Sequence, residues 1–407
     1  MMQIHPFPVW MNYLSALALG LLLSLGPCST TVAAQPQLAA GLRHSLYVNQ
    51  RGALFVWGDN TQGQLARNSD SQGSITAVRP MGFKRTRVMG SGWNHVLVAI
   101  RPPRTRRPEV WTWGLGMDGQ LGIGPLLAVG PFEYYQVREP FPLVEDRVRH
   151  VQALAGGKAH SLVLLQDGEV WTWGRNNDGQ LGLGDQTTRW APFRIPSLPN
   201  TISGISAGSS FSMALDQNGQ VWTWGRNDQG QLGLGGTTLH MQPQLIAEST
   251  QVPIVALSGG DAFALALDRA GQVYAWGRGA EGQLGNALAM ATRPMPVPGL
   301  PPIAAIAAGH RHALALARDG TVWSWGANER GQLGDASIVP HSDPRPVPAT
   351  FHATLIAAGG SHSLALSDQG EVWAWGDDAA GQLGFIAPPS GYVVLPVKNA
   401  VGTFAVP

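Results

Sequence analysis

A chain of 407 residues would ordinarily divide into two or three domains, and its 27 basic and 26 acidic side chains leave a net charge of +1. That balance removes any argument for nucleic-acid binding through bulk electrostatics. Glycine, at 52 residues, is nearly double ordinary usage, as a fold with many tight turns requires.

At the N-terminus, Leu14–Gly26 is an apolar run too short for a membrane span. Val32-Ala33-Ala34 follows, and these small residues suit cleavage before Gln35. Residues 1–34 are therefore expected to be a secretory signal and the mature protein to be periplasmic or extracellular. The stretch ahead of the run departs from the usual pattern, carrying His5 but no Lys or Arg. An uncleaved membrane anchor over residues 14–26 is the alternative. Cys28 is the single cysteine, and Pro27 before it does not fit lipoprotein processing. A mature chain starting at Gln35 has no disulfide and is indifferent to redox compartment.

From residue 38 onward the chain repeats itself. A Trp-Gly pair, with Gly-Gln-Leu beginning six residues after the Trp, occurs at Trp57, Trp113, Trp173, Trp224, Trp276, Trp325 and Trp375. Ahead of each Trp stands a Gly followed three residues later by His or Phe: Gly41/His44, Gly92/His95, Gly157/His160, Gly208/Phe211, Gly260/Phe263, Gly309/His312 and Gly359/His362. A period near 50 residues marks a repeat architecture, because one such unit cannot bury its own apolar face and must stack on neighbours.

The sixth copy shows what a unit contains. Ile306-Ala-Ala-Gly309 is a small apolar run, and His312–Leu316 alternates as a strand does. Asp319-Gly320 is a hairpin turn, since Gly accepts the positive φ such turns need. Thr321–Gly326 is the return strand, with Trp323 and Trp325 on one face. Pro344–Pro348 is an outer strand, where proline is tolerated. Four short strands in about 50 residues describe one propeller blade. Residues 35–407 are thus expected to be one all-β, seven-bladed β-propeller with the seven Trp as its structural core. The chain starts on an Ala-Gly strand and ends with strand-like Tyr392–Val397. The expectation is that this last strand completes a blade with the N-terminal strands and so closes the ring without an open edge.

The pattern Ala-Gly-x-x-His-Ser-Leu-Ala-Leu, then Asp-Gly-x-Val-Trp-x-Trp-Gly-x-Asn-x-x-Gly-Gln-Leu-Gly, resembles the RCC1 (regulator of chromosome condensation) repeat over Leu38 to about Ala405. The resemblance implies a seven-bladed propeller, in agreement with the count above. It also implies, as one alternative, nucleotide exchange on a small GTPase.

Apparent chemistry mostly dissolves when the copies are overlaid. Gly204-Ile-Ser206-Ala-Gly208 has nucleophile-elbow spacing, yet Ser206 occupies the strand position of Ala307 and Ala357, without a strand-turn-helix context. His44, His95, His160, His312 and His362 recur one per blade around a ring, so they are packing residues rather than ligands of one metal. No catalytic residue, metal site or cofactor is expected. A propeller enzyme, a lyase or hydrolase with its site at the central channel, is a second alternative. It calls for His, Asp and Glu clustered on one face.

Function should then sit where the copies differ. The second copy carries extra residues at Arg101–Pro108. A further surplus separates Gly122 from Gly157. Aligning Pro131 with Pro192, Pro243, Pro294 and Pro344 assigns that surplus to Arg138–Arg147. Strand parity then puts both insertions on one face, with Arg104, Arg106, Arg107, Phe141 and Leu143 as the partner-binding residues. The expectation is an exported, monomeric, non-catalytic module that binds a protein.

Overall fold

The computed structural model describes residues 35–399 except 68–73, 79, 81–82, 84, 101–108, 125–135, 144, 146, 248–252 and 386–389. Each repeat forms one antiparallel four-stranded sheet whose order follows the chain. Blade 1 is β1 (Gln37–Ala40), β2 (His44–Val48), β3 (Leu54–Gly58) and β4 (Ser74–Val78). Blade 2 is β5 (Thr86–Ser91), β6 (His95–Ile100), β7 (Val110–Leu115) and β8 (Gln136–Pro142). Blade 3 is β9 (Val151–Gly156), β10 (His160–Leu165), β11 (Val170–Gly174) and β12 (Arg189–Arg194). Blade 4 is β13 (Ile202–Ala207), β14 (Phe211–Asp216), β15 (Val221–Gly225) and β16 (His240–Leu245). Blade 5 is β17 (Ile254–Gly259), β18 (Phe263–Asp268), β19 (Val273–Arg278) and β20 (Met290–Pro296). Blade 6 is β21 (Ile303–Ala308), β22 (His312–Ala317), β23 (Val322–Gly326) and β24 (His341–Pro346). Blade 7 is β25 (Ala353–Ala358), β26 (His362–Ser367), β27 (Val372–Asp377) and β28 (Tyr392–Lys398). The first strands line a central channel and the fourth strands form the rim.

The repeated residues fasten one blade to the next. Each of the seven recurring Trp, from Trp57 to Trp375, is at most 1% exposed. Its indole Nε1 donates to the main-chain carbonyl of the Gln in the preceding blade's Gly-Gln-Leu, at 2.8–3.0 Å in all seven cases. The Gln side chain in turn accepts from the backbone two residues earlier, for example Asp178 N to Gln180 Oε1 at 3.0 Å, which fixes the loop that presents the carbonyl. A buried indole needs such an acceptor, so Trp and Gly-Gln-Leu form one clasp split between two repeats.

The histidines form a second clasp. Nε2 of His95, His160, His312 and His362 meets the hydroxyl of Ser161, Ser212, Ser363 and Ser45, each on the following blade, at 2.9–3.0 Å. Each serine hydroxyl donates its one proton to a Gln carbonyl, so it must accept from Nε2–H, which assigns the tautomer. Nδ1 is left without a partner in all five histidines. Burial pushes these imidazoles down from 6.5, to about 4 for His44 and His160 and to about 3 for His95, His312 and His362. They are neutral parts of the core, as expected. Where Phe211 and Phe263 replace His, the serine position of the next blade holds Ala264 and Ala313, and all four join one apolar cluster. In blade 2 that position is Val96, and His44 instead reaches Ser91, 3.0 Å away on β5. The small residue ahead of each ring is obligatory: a Cβ on Gly309 would lie 2.3 Å from His312 Cε1.

Ring closure differs from the sequence expectation. β28 pairs with β27 of its own blade, and β1 with β2 of its own, so among the described residues no blade is shared between the termini. The first and last blades close the ring by the clasps that join all the others: Trp57 Nε1 donates to Gln382 O at 2.8 Å, and His362 reaches Ser45. Seven complete sequence repeats already supply seven complete sheets, and the clasp needs no exchanged strand.

Candidate functional site

One position of the repeat is held by its backbone alone. It follows the Gly of the Gly-x-x-His turn and carries Leu42, Trp93, Lys158, Ser209, Asp261, His310 and Gly360, a different residue in every copy. The seven amide N–H groups of these residues bond to carbonyls of the next blade's turn, from Leu42 N to Trp93 O at 2.9 Å round to Gly360 N and Gly41 O at 3.2 Å. This closed circle of main-chain bonds rims one mouth of the channel. Because the fold uses only the peptide groups here, the side chains are released from structural duty. Elsewhere in the repeat, the Gly, His, Trp and Gln are locked into the clasps.

The released side chains converge. Ser209 bonds the Asp261 carboxylate, and His310 Nε2 lies 3.3 Å from Asp261 Oδ2. The His310 ring meets Trp93 edge-to-face with centroids 5.0 Å apart. Lys158 Nζ sits 4.8 Å from the Trp93 ring centroid. Blades 4, 5, 6, 2 and 3 thus supply one continuous row of contacts, and the indole of Trp93 spans the opening from blade 2 toward blade 6. Burial alone raises the Asp261 pKa, but the His310 bond and charge and the Ser209 bond outweigh it and hold the carboxyl below its usual range. Behind the mouth the channel encloses about 420 Å³ between small residues such as Ala39, Gly90, Ala155 and Ala207.

The row contains Ser, Asp and His, and this clustering was not foreseen from the sequence. Its order does not suit nucleophile activation. A hydrolytic serine must donate to an imidazole that a carboxylate orients, whereas Asp261 lies between Ser209 and His310. Among the described residues no group of three His, Cys, Asp or Glu could hold a metal ion.

An outer arc surrounds the mouth on the same end of the blades. The third-to-fourth-strand loops and the starts of the fourth strands leave Trp190, Leu239, Met241, Leu288, Met290, Ile338 and Val339 between 39% and 66% exposed, on blades 3 to 6. Aromatic and Met side chains of this kind are enriched in protein interfaces.

The residues expected to bind a partner fare differently. Arg104, Arg106 and Arg107 lie outside the described residues. Phe141 is in β8, paired with Thr112, and exposed. Leu143 is not on a projecting loop: it is 4% exposed in the core between blades 2 and 3. Its N–H bonds Val110 O, as Ile195, Ile246, Val297 and Val347 bond their own third strands. The misplacement came from Pro131. Register pairs Gly114 with Val137, as Gly174 pairs with Arg189 and Gly326 with His341. Pro140 therefore occupies the place of Pro192 and Pro344, at the bulge where no ladder bond is required. The surplus precedes β8, in residues 116–135 against 175–188 in blade 3. Residues 116–135 join β7 to β8, a connection of the mouth end, and not β8 to the next blade as the sequence expectation had it.

The sequence matches the family model of the RCC1-like domain over residues 27–252 and 200–403. The chain belongs to the RCC1-like domain family. It is 33% identical over 255 residues to the human "Probable E3 ubiquitin-protein ligase HERC6", covering 61% of this chain and 24% of that protein. It is 30% identical over 257 residues to the "Ultraviolet-B receptor UVR8" of Arabidopsis thaliana, covering 61% of this chain and 54% of the receptor. The matched region thus spans a quarter to about half of these RCC1-like relatives. Human WBSCR16 superposes with TM-score 0.74 at 23% identity, over 84% of this chain and 92% of that one. Yeast RCC1 (Prp20), seen bound to Kap60, also gives 0.74, at 19% identity over 93% and 90%. These structural likenesses bear on the fold.

Proposed function

We propose that this RCC1-like propeller is an exported, non-catalytic module that binds a protein partner through the face bearing the channel mouth. The observation that carries the reading is the repeat position Leu42 to Gly360, where the fold fixes only the backbone and every side chain differs. The exposed arc from Trp190 to Val339 on the same face adds the apolar surface an interface requires. Yeast RCC1 (Prp20), which shares the fold, is seen bound to another protein, Kap60. Export rests on the Leu14–Gly26 run and the Ala33-Ala34 site.

The test is affinity capture from the periplasm or culture medium with two baits. One is the wild-type protein and the other carries Met241→Ser, Leu288→Ser and Ile338→Ser. A protein retained by the first and lost from the second supports the reading. Equal retention on both baits, or retention on neither, contradicts it.

A further inference from the structure

The fourth strand is the outermost of every sheet, and six of the seven carry a proline at the same place. These are Pro140 in β8, Pro192 in β12, Pro243 in β16, Pro294 in β20, Pro344 in β24 and Pro396 in β28. Each stands three residues before the one whose N–H bonds back to the third strand, from Leu143 N to Val110 O at 2.9 Å round to Asn399 N to Val372 O at 2.7 Å. Along an antiparallel strand, successive residues turn their hydrogen-bonding groups to opposite sides. An odd step from an inward N–H leads to an outward one, so each proline deletes a donor that would face away from the sheet. Proline so placed blocks pairing with a further strand.

Blade 1 departs from this. β4 pairs Val78 with Val56, as β12 pairs Phe193 with Thr172 and β28 pairs Val397 with Ala374. That register puts Ala77 where the others have proline, and Ala77 keeps its N–H. The proline of this blade is Pro80, at the inward position of Leu143 and its counterparts, where it has no N–H to give β3. The strand reads Ser-Ile-Thr-Ala-Val, with three β-branched residues and no charge. It therefore lacks both common edge blockers, charge and proline.

We propose that β4 is the edge through which a second copy of the chain docks, β4 against β4 in antiparallel sense about a two-fold axis. The second copy offers the same open, uncharged strand, so the contact is self-complementary. Among the described outer strands each chain has one such edge. Pairing consumes both edges and stops at two copies, whereas several open edges would build an open polymer. The contact is on the rim of blade 1, away from the apolar arc of blades 3 to 6, and stands independently of the partner proposed for the mouth face. A pair of five-residue strands buries well under the roughly 1,200 Å² of a stable interface. The dimer is accordingly weak and reversible, in place of the monomer expected from the sequence.

Sedimentation equilibrium of the purified protein from about 10 μM to about 1 mM, a span that covers weak association, tests this. Wild type is expected to follow a reversible monomer–dimer equilibrium. Ala77→Pro, a residue that six sister strands accommodate at this place, should keep the wild-type melting temperature and raise the dissociation constant about tenfold or more. A second measurement serves if that variant does not fold. In wild type, hydrogen exchange in Ser74–Val78 should slow as concentration rises, while exchange in β12 should not. A wild type that stays monomeric throughout, a folded Ala77→Pro that dimerises as wild type does, or exchange in β4 that is indifferent to concentration would each overturn the proposal.

Discussion

His95 Nε2 lies 2.9 Å from Ser161 Oγ, and the two belong to different blades. The bond fixes the imidazole as the neutral Nε2–H tautomer and ties blade 2 to blade 3. Four sibling histidines do the same work around the ring.

Those five histidines make stability pH-dependent in a defined direction. An unfolded imidazole titrates near 6.5, while the folded groups stay neutral until about 3 to 4. Between these values the unfolded chain binds more protons. The contribution is complete above 6.5 and is lost as pH falls toward 4, with each histidine adding up to about 1.4 kcal/mol per pH unit. Urea denaturation midpoints should fall steeply from pH 7 to pH 5. A midpoint that rises or holds level over that range would show that the imidazoles are charged in the fold.

Blades 4 and 5 show how to remove that dependence. The double change His312→Phe with Ser363→Ala reproduces the Phe211/Ala264 arrangement and should shift stability at pH 7 by no more than about 1.5 kcal/mol. It should also flatten the pH profile. The reverse single change, Phe263→His, faces Ala313 with a buried N–H and no hydroxyl to accept it, at a cost of about 1–3 kcal/mol. Equal melting temperatures for Phe263→His and wild type would show that the Ser/Ala correlation has no energetic basis.

Deleting residues from Tyr392 onward strips β28 from β27. Hydrogen exchange should accelerate in Val372–Asp377 and remain slow in β1 (Gln37–Ala40), because β1 pairs within its own blade. Loss of protection in both would restore a blade shared between the termini.

Export predicts that the mature product begins near Gln35, which N-terminal sequencing of the protein from a Gram-negative host would show. A cytoplasmic product that keeps Met1 would remove the exported half of the proposed function.

The fold was legible because its determinants recur. Trp57 to Trp375 and the Gly-x-x-His turns announce seven blades through spacing alone. What they bond to was not legible, since the acceptor of each indole is a main-chain carbonyl contributed by the preceding repeat. The Ser-for-Ala pattern at Ser161, Ser212, Ala264 and Ala313 was present in the sequence, but it acquires meaning only when neighbouring blades are paired. The mouth residues Trp93, Lys158, Asp261 and His310 were not legible, because their position differs in every copy and repetition cannot point to it. The insertions misled because one proline was matched by counting from Gly-Gln-Leu. A loop can lengthen before a strand as easily as after it, and register identifies Pro140 rather than Pro131.

The central claim is that the partner sits on the mouth face. A photo-crosslinking amino acid placed at Val339, on the exposed arc, and in a second variant at Arg269, on the opposite hairpin face, tests it directly. With either variant expressed in the producing cell, an adduct is expected from position 339 and none from position 269. An adduct from 269 alone would contradict it.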